Sequence, residues 1–244
     1  IRGGQRLGIY YLETGASMRP SKVIYDRAHS SMSEADVTEF DFDQIFQDAD
    51  WFHWSGITTA LGAKAAQCVE AACKAAKRAS VTISCDLNFR SKLWTSEQAI
   101  LVRTPLMKYV DVCIGNEEDA EKTLGIKNEA NVDAGLTDAD CYEQTFIQMQ
   151  QRFGFRIVAS TLRESISATH NGWKALLYDG EKFYRSKHYD ICPIVDRVGA
   201  GDSFSAGLIH GLLKWQEASQ ALEFAVAASA LKHTIPGDVN LMSE

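Results

Sequence analysis

Asp196-Arg197-Val198-Gly199-Ala200-Gly201-Asp202 is the stretch that decides how the rest of the chain is read. Gly199, Ala200 and Gly201 have almost no side chain to shield their amides, and a helix is expected to start at about Gly201. Free amides at the positive end of a helix attract an anion without help from charged side chains. Asp202 falls in the first turn, where a carboxylate can accept the proton of a hydroxyl attacking a bound phosphoryl group. Ser203, Ser205, Ala206 and Gly207 follow, and their small size predicts close packing of this helix against a sheet. A lone GxGD would suggest only a glycine turn before a capped helix. The upstream Asp196, the small residues behind and the late chain position make this pattern more specific.

Working outward, strands and helices alternate from residue 51 onward. Trp51 to Trp54 reads as an apolar strand ending at Ser55-Gly56. Residues 60–78 read as a helix with Leu61, Ala65, Cys68, Val69, Ala72 and Ala76 on one face. A strand follows at 81–85, a helix at 97–108, a strand at 110–114, and a short helix capped by Asn116 running to Leu124. Lys127 to Asp140 reads as a polar loop and Cys141 to Arg152 as a helix. Four short strands are expected at 156–160, 165–170, 173–178 and 182–187, then helices at 201–213 and 217–233, joined at 214–216. Such alternation predicts an α/β fold with a mostly parallel central sheet covered by helices. Ligands in open α/β sheets sit beyond the carboxyl ends of the strands. Residues 6–14 and 22–28 alternate in a strand pattern outside this rhythm and predict a small β lid.

The chain has 244 residues, enough for one good core, and a formal net charge of −7. An acidic chain with no concentration of Lys and Arg is not expected to bind nucleic acid. No apolar run approaches the length of a membrane helix, and no charged-then-apolar segment opens the sequence. Six cysteines without a CxxC pair suggest buried, reduced thiols of a cytoplasmic protein. The six histidines show no metal or triad spacing and read as structural or exposed. The sequence begins at Ile1 rather than Met, which suggests processing or a fragment.

Asp196 to Phe204 resembles the C-terminal signature of the ribokinase-like (PfkB) sugar kinases, and Arg197-Val198 is similar to the 2-keto-3-deoxygluconate kinase branch. The resemblance implies a three-layer α/β sandwich with a β lid, and Asp202 as catalytic base. It also implies Gly199, Ala200 and Gly201 as the anion hole, with ATP and Mg²⁺ required. Asp86-Leu87-Asn88-Phe89-Arg90-Ser91-Lys92-Leu93-Trp94 resembles a family segment in which Asn88 and Arg90 reach nucleotide and substrate. Asn116-Glu117-Glu118-Asp119 resembles the N-x-x-E motif that orders magnesium through water; Asp119 stands where Glu is usual. Thr161-Leu162-Arg163 resembles the nucleotide-contacting segment, and Arg163 offers a cation to phosphate.

On the lid, Tyr25 and Arg27 share a strand face, and an arginine beside tyrosines suits a carboxylate flanked by hydroxyls. The resemblance assigns Tyr11, Tyr25, Arg27, Gly56, Ile57, Arg90 and Asp238 to the sugar acid. It thereby implies phosphorylation of 2-keto-3-deoxygluconate on its terminal hydroxyl. A fructokinase or other family member is the nearest alternative, and a non-catalytic nucleotide- or sugar-binding regulator the more distant one. Exposed lid strands predict a homo-oligomer. In the family further residues precede the position of Ile1, including sheet strands and a Gly-Gly substrate motif. Residues 1–244 are therefore expected to be one kinase domain lacking its N-terminal part, with 6–28 contributing the lid.

Overall fold

The computed structural model describes residues 3–127, 138–215 and 217–242. Most of the loop expected over 127–140, at 128–137, lies outside the described residues, as does residue 216 of the expected junction. The chain divides into two compact units, Ile1–Tyr10 with Tyr25–Val158 and Tyr11–Ile24 with Ala159–Glu244. The fold is α/β, as the alternation predicts, with a small separate sheet of two strands, β1 (Ile9–Glu13) and β2 (Lys22–Asp26).

In the first unit three parallel strands lie side by side: β3 (Trp51–Ser55), β4 (Thr82–Asp86) and β5 (Val112–Ile114). Short helices α1 (Ser31–Glu34) and α2 (Phe42–Ile45) precede them, and α3 (Gly56–Thr59) leaves β3 directly. Helix α4 (Ala63–Arg78) buries Ala65, Cys68, Val69, Ala72 and Ala76, the face its periodicity marks. Thr95 and Gln98 close a capping box at the start of α5 (Ser96–Arg103). The α-helix expected to run to 108 stops at Arg103, because Pro105 lies in a 3₁₀ segment that continues to Tyr109. Asn116 caps α6 (Glu117–Leu124), and Gly125 in the left-handed region ends it. Helix α7 (Asp138–Phe153) starts three residues before the position expected from the sequence. The amides of Arg156 and Ile157 both donate to Asp111 O, where β6 (Ile157–Ser167) begins.

In the second unit the rest of β6 lies beside β7 (His170–Tyr178), which pairs antiparallel with β8 (Phe183–Arg185) and β9 (Tyr189–Ile191). The two strands expected at 156–160 and 165–170 are one strand. Its first four residues are buried and the next stretch is exposed. Charged residues at 163 and 164 break the apolar pattern there, and a strand with both faces in water needs no such pattern. Helices α8 (Ala200–Lys214) and α9 (Ala218–Lys232) complete this unit. Gly207 of α8, expected to pack against the sheet, meets α9 instead, as does Gly211. A Cβ on Gly207 would lie 2.9 Å from Ala225 Cα, and one on Gly211 2.6 Å from Ala221 Cα, so they allow close approach of α9.

Among the described cysteines, Cys68, Cys73, Cys85 and Cys113 are buried and free as expected, whereas Cys192 is exposed. Among the described residues, no helix is long and apolar enough to cross a membrane.

Candidate active site

In the second unit the candidate residues gather where α8 begins. Gly199 is its N-cap, with φ +76°, and the helix starts at Ala200, one residue earlier than the sequence suggests. Two constraints make residue 199 glycine. Its φ is left-handed, and a Cβ there would meet Asp238 O at 2.4 Å. A Cβ on Gly201 would meet nothing within 4 Å, and both Gly201 and Asp202 are exposed. The loop thus presents an open helix N-terminus with a carboxylate in its first turn, an arrangement that fits a phosphoryl group and a general base.

A ring of side chains fixes this loop. Asp196 accepts the Val198 amide at 3.1 Å and the Gly237 amide at 2.9 Å. The amides of Val195 and Asp196 donate to His233 O. Ser229 Oγ donates to Ala200 O, and Asn240 Nδ2 to Ser203 Oγ. Lys232, fully buried, donates Nζ to Ile235 O and Gly237 O at 3.1 and 2.7 Å. Asp238, expected to contact substrate, is thereby brought against Gly199. His233 is buried and stacks edge-on with Trp173, and burial pushes its imidazole below the usual histidine value. Thr161 and Arg163 lie on β6; Thr161 is half-buried and Arg163 is exposed. Arg163 and Arg197 line a cavity of about 490 Å³ together with Ser17, Met18 and Ile166.

In the first unit a second group forms at the exits of β3, β4 and β5. Asn88, with φ +38°, donates its amide to Asp86 and its Nδ2 to Ser55 Oγ. Ser55 also accepts the Ile57 amide at 3.3 Å. Asp119 accepts the Phe89 amide at 2.8 Å and the Asn116 amide at 3.4 Å, so Asn116, Asp119 and the Asn88–Arg90 loop are tied together. Burial raises the Asp119 carboxyl above its usual value, opposed by these two amides and by Arg90. Gly56 is jammed against Leu87 O and the Arg103 guanidinium, so its turn cannot carry a side chain.

Just past β2 of the two-stranded sheet, Arg27 stacks over the Tyr25 ring at 4.4 Å, and its Nη1 is buried without a hydrogen-bond partner. An orphaned buried guanidinium nitrogen is what a carboxylate site would leave before its ligand binds. Tyr11 is 60% exposed, on the open face of β1 with Ile9 and Glu13, whereas Tyr10 and Leu12 are half-buried.

Sequence reasoning did not single out Lys232, Asn240 or Arg103, which brace these groups. Arg103 is fully buried, donates to Leu87 O and Thr59 Oγ1, and lies over the Trp94 ring. Lys232 ends α9, where a lysine is ordinary on dipole grounds, so the sequence carried no signal for it. Among the described residues no group of three or more His, Cys, Asp or Glu could hold a metal ion directly.

A family model described as pfkB family carbohydrate kinase matches residues 1–152 and 169–244. The 2-dehydro-3-deoxygalactonokinase of Haloferax volcanii is 31% identical over 238 residues, which cover 98% of this chain and 68% of that protein. The 2-dehydro-3-deoxygluconokinase of Bacillus subtilis is 28% identical over 221 residues, covering 90% of this chain and 61% of its own length. Among solved structures, that of 2-dehydro-3-deoxygluconokinase from Thermotoga maritima has a TM-score of 0.93 and 50% identity, covering 99% of this chain and 71% of that one. The chain therefore spans only part of the length of each.

Proposed function

The chain belongs to the pfkB family of carbohydrate kinases, and on that premise we propose that it serves phosphoryl transfer from ATP to the terminal hydroxyl of 2-keto-3-deoxygluconate. The observation that carries this reading is the loop at the start of α8: left-handed Gly199 under Asp238, open Gly201 and exposed Asp202. Asp202 takes the proton from the sugar hydroxyl as its oxygen bonds to the γ-phosphorus and the bond to the β-phosphate oxygen breaks, releasing ADP. The Gly199, Ala200 and Gly201 amides face the charge that develops on the transferred group. Asn88, Arg90, Thr161 and Arg163 hold the nucleotide and phosphates. Tyr11, Tyr25, Arg27, Gly56, Ile57, Arg90 and Asp238 hold the sugar acid, and the orphaned Arg27 nitrogen favours an acid over a neutral sugar.

Magnesium fits near Asn116 and Asp119 only through water. Both Asp119 oxygens already accept amides, though each keeps a second lone pair. Bound there, the ion would neutralise phosphate charge.

Residues 1–244 act as one kinase domain in this reading, with 6–28 supplying the lid strands, in a reducing, cytoplasmic setting. The exposed Ile9 and Ile24 of the lid strands support homo-oligomerisation through the lid.

The test uses the full-length protein and a coupled ADP-release assay over sugars and sugar acids, both C4 epimers of the keto-deoxy acid included. Asp202→Asn should keep its affinity for ADP and lose at least about 10²-fold in turnover. Normal turnover in that variant refutes the mechanism. Fructose as the preferred acceptor refutes the substrate, and ligand binding with no ADP release favours a regulator.

A further inference from the structure

Two arginines of the second unit lie near the anion-hole loop, and their surroundings differ. Arg163 is exposed and makes no hydrogen bond or ion pair among the described residues, as a cation awaiting a phosphate would. Arg197, two residues before Gly199, has one edge of its guanidinium fully engaged. Nε donates to Ala168 O at 3.0 Å, and Nη2 donates to Ser167 O and, at 2.8 Å, to Asn171 Oδ1. That edge is one an arginine uses for bidentate capture of phosphate, and here protein oxygens fill it. The three acceptors bracket the turn from β6 into β7: Ser167 ends β6, Ala168 lies in the turn, and Asn171, fully buried, is the second residue of β7. The same turn receives the loop between β1 and β2: Ala168 N donates to Ser17 O at 2.8 Å.

We propose that Arg197 is a positioning residue for phosphoryl transfer, anchoring the Gly199–Asp202 loop to the β6–β7 turn on which Ser17 is seated. The inference rests on the kinase reading above. The main chain of Arg197 sits between the Asp196-bound Val198 and the His233-bound Asp196, so a side-chain anchor at 197 fixes the loop from a third direction. Without it the amides and Asp202 lose their register, and a misplacement of about 1 Å can cost on the order of 10²-fold in rate. Lysine keeps the charge but has one compact ammonium, which cannot span three acceptors.

Arg197→Lys, Asn171→Ala, Asn171→Asp and the double variant Arg197→Lys/Asn171→Ala test this in the full chain. The measurements are kcat, KM for ATP, ADP affinity, Tm and amide hydrogen exchange over residues 14–20 and 165–171. Arg197→Lys and Asn171→Ala should each lower kcat by roughly 10–10²-fold, with KM for ATP and ADP affinity unchanged. The double variant should be no worse than Arg197→Lys alone, since both remove one connection. Asn171→Asp keeps an acceptor for the guanidinium and should keep the wild-type kcat. Exchange at 165–171 and 14–20 should quicken in both damaging variants. A raised KM for ATP and weaker ADP binding in Arg197→Lys, independent of residue 171, would make Arg197 a phosphate ligand and overturn the proposal. A lower Tm with unchanged kcat would overturn it as well. If the wild-type protein phosphorylates no sugar, the kinase reading fails, while the exchange data still decide whether Arg197 anchors the loop.

Discussion

Gly199→Ala and Gly201→Ala separate what the anion-hole loop needs in order to fold from what it needs in order to work. At residue 199 an added Cβ lies 2.4 Å from Asp238 O, and that oxygen is main chain, so it cannot swing aside. Restoring ordinary contact requires a shift of about 1 Å, and holding alanine in the left-handed region costs roughly 1–2 kcal/mol more. With an overpacking cost of about 1–3 kcal/mol, the variant should lose about 2–5 kcal/mol. For a chain of this size that lowers Tm by roughly 4–20 °C. The same shift should cut turnover on the order of 10²-fold. At residue 201 the added Cβ meets nothing within 4 Å. Gly201→Ala should therefore leave Tm within about 1–2 °C of wild type, or raise it slightly through helix propensity. Its methyl group enters the space where the phosphoryl group would sit, so turnover and ADP affinity should still fall. Thermal melts read by circular dichroism, with the ADP-release assay alongside, give both quantities. A Gly199→Ala protein with wild-type Tm and turnover would refute the role of the Asp238 contact. A Gly201→Ala protein with full activity would show that no ligand approaches that side.

Arg103→Lys should cost about 2–4 kcal/mol, because a buried charged donor to Leu87 O and Thr59 is lost and Leu87 O is stranded; a urea melt checks it, and unchanged stability refutes the role. His233, held below its unfolded value of 6.5, binds fewer protons folded than unfolded. Stability should thus fall as pH drops from about 6.5 toward the folded value. The slope of Tm against pH in that window should be shallower in His233→Gln; equal slopes refute the assignment.

Much of the fold was legible because its signals are local. The α4 stripe, the Asn116 cap and the glycine loop each declare themselves within a few residues, and they stand close to where the sequence places them, α4 starting at Ala63 rather than 60 and α8 at Ala200 rather than 201. The failures share a physical cause, which is dependence on a distant partner. Ile9-Tyr10-Tyr11-Leu12 is apolar on both strand faces, so period 2 alone does not tell the faces apart; in the structure Tyr10 and Leu12 are half-buried and Ile9 and Tyr11 exposed. The small residues of α8 show that something packs closely, but not that it is α9. The hydrogen bonds of Arg197 are likewise invisible in sequence, because its acceptors lie about thirty residues upstream.

The segment after α9 shows why the loop's chemistry cannot be separated from remote packing. Asp238 faces Gly199 through its main chain, and Gly237 just before it is held from two sides, its amide by Asp196 and its carbonyl by Lys232. Lys232 is charged and fully buried, a costly state unless its donors are used. Two of its three donors go to carbonyls of the segment that covers Gly199. Asn240 then ties the same segment to Ser203, next to Asp202. The carboxylate expected to act as base and the acidic residue expected to meet substrate are therefore registered through backbone clasps. Lys232, the last residue of α9, is what holds that register.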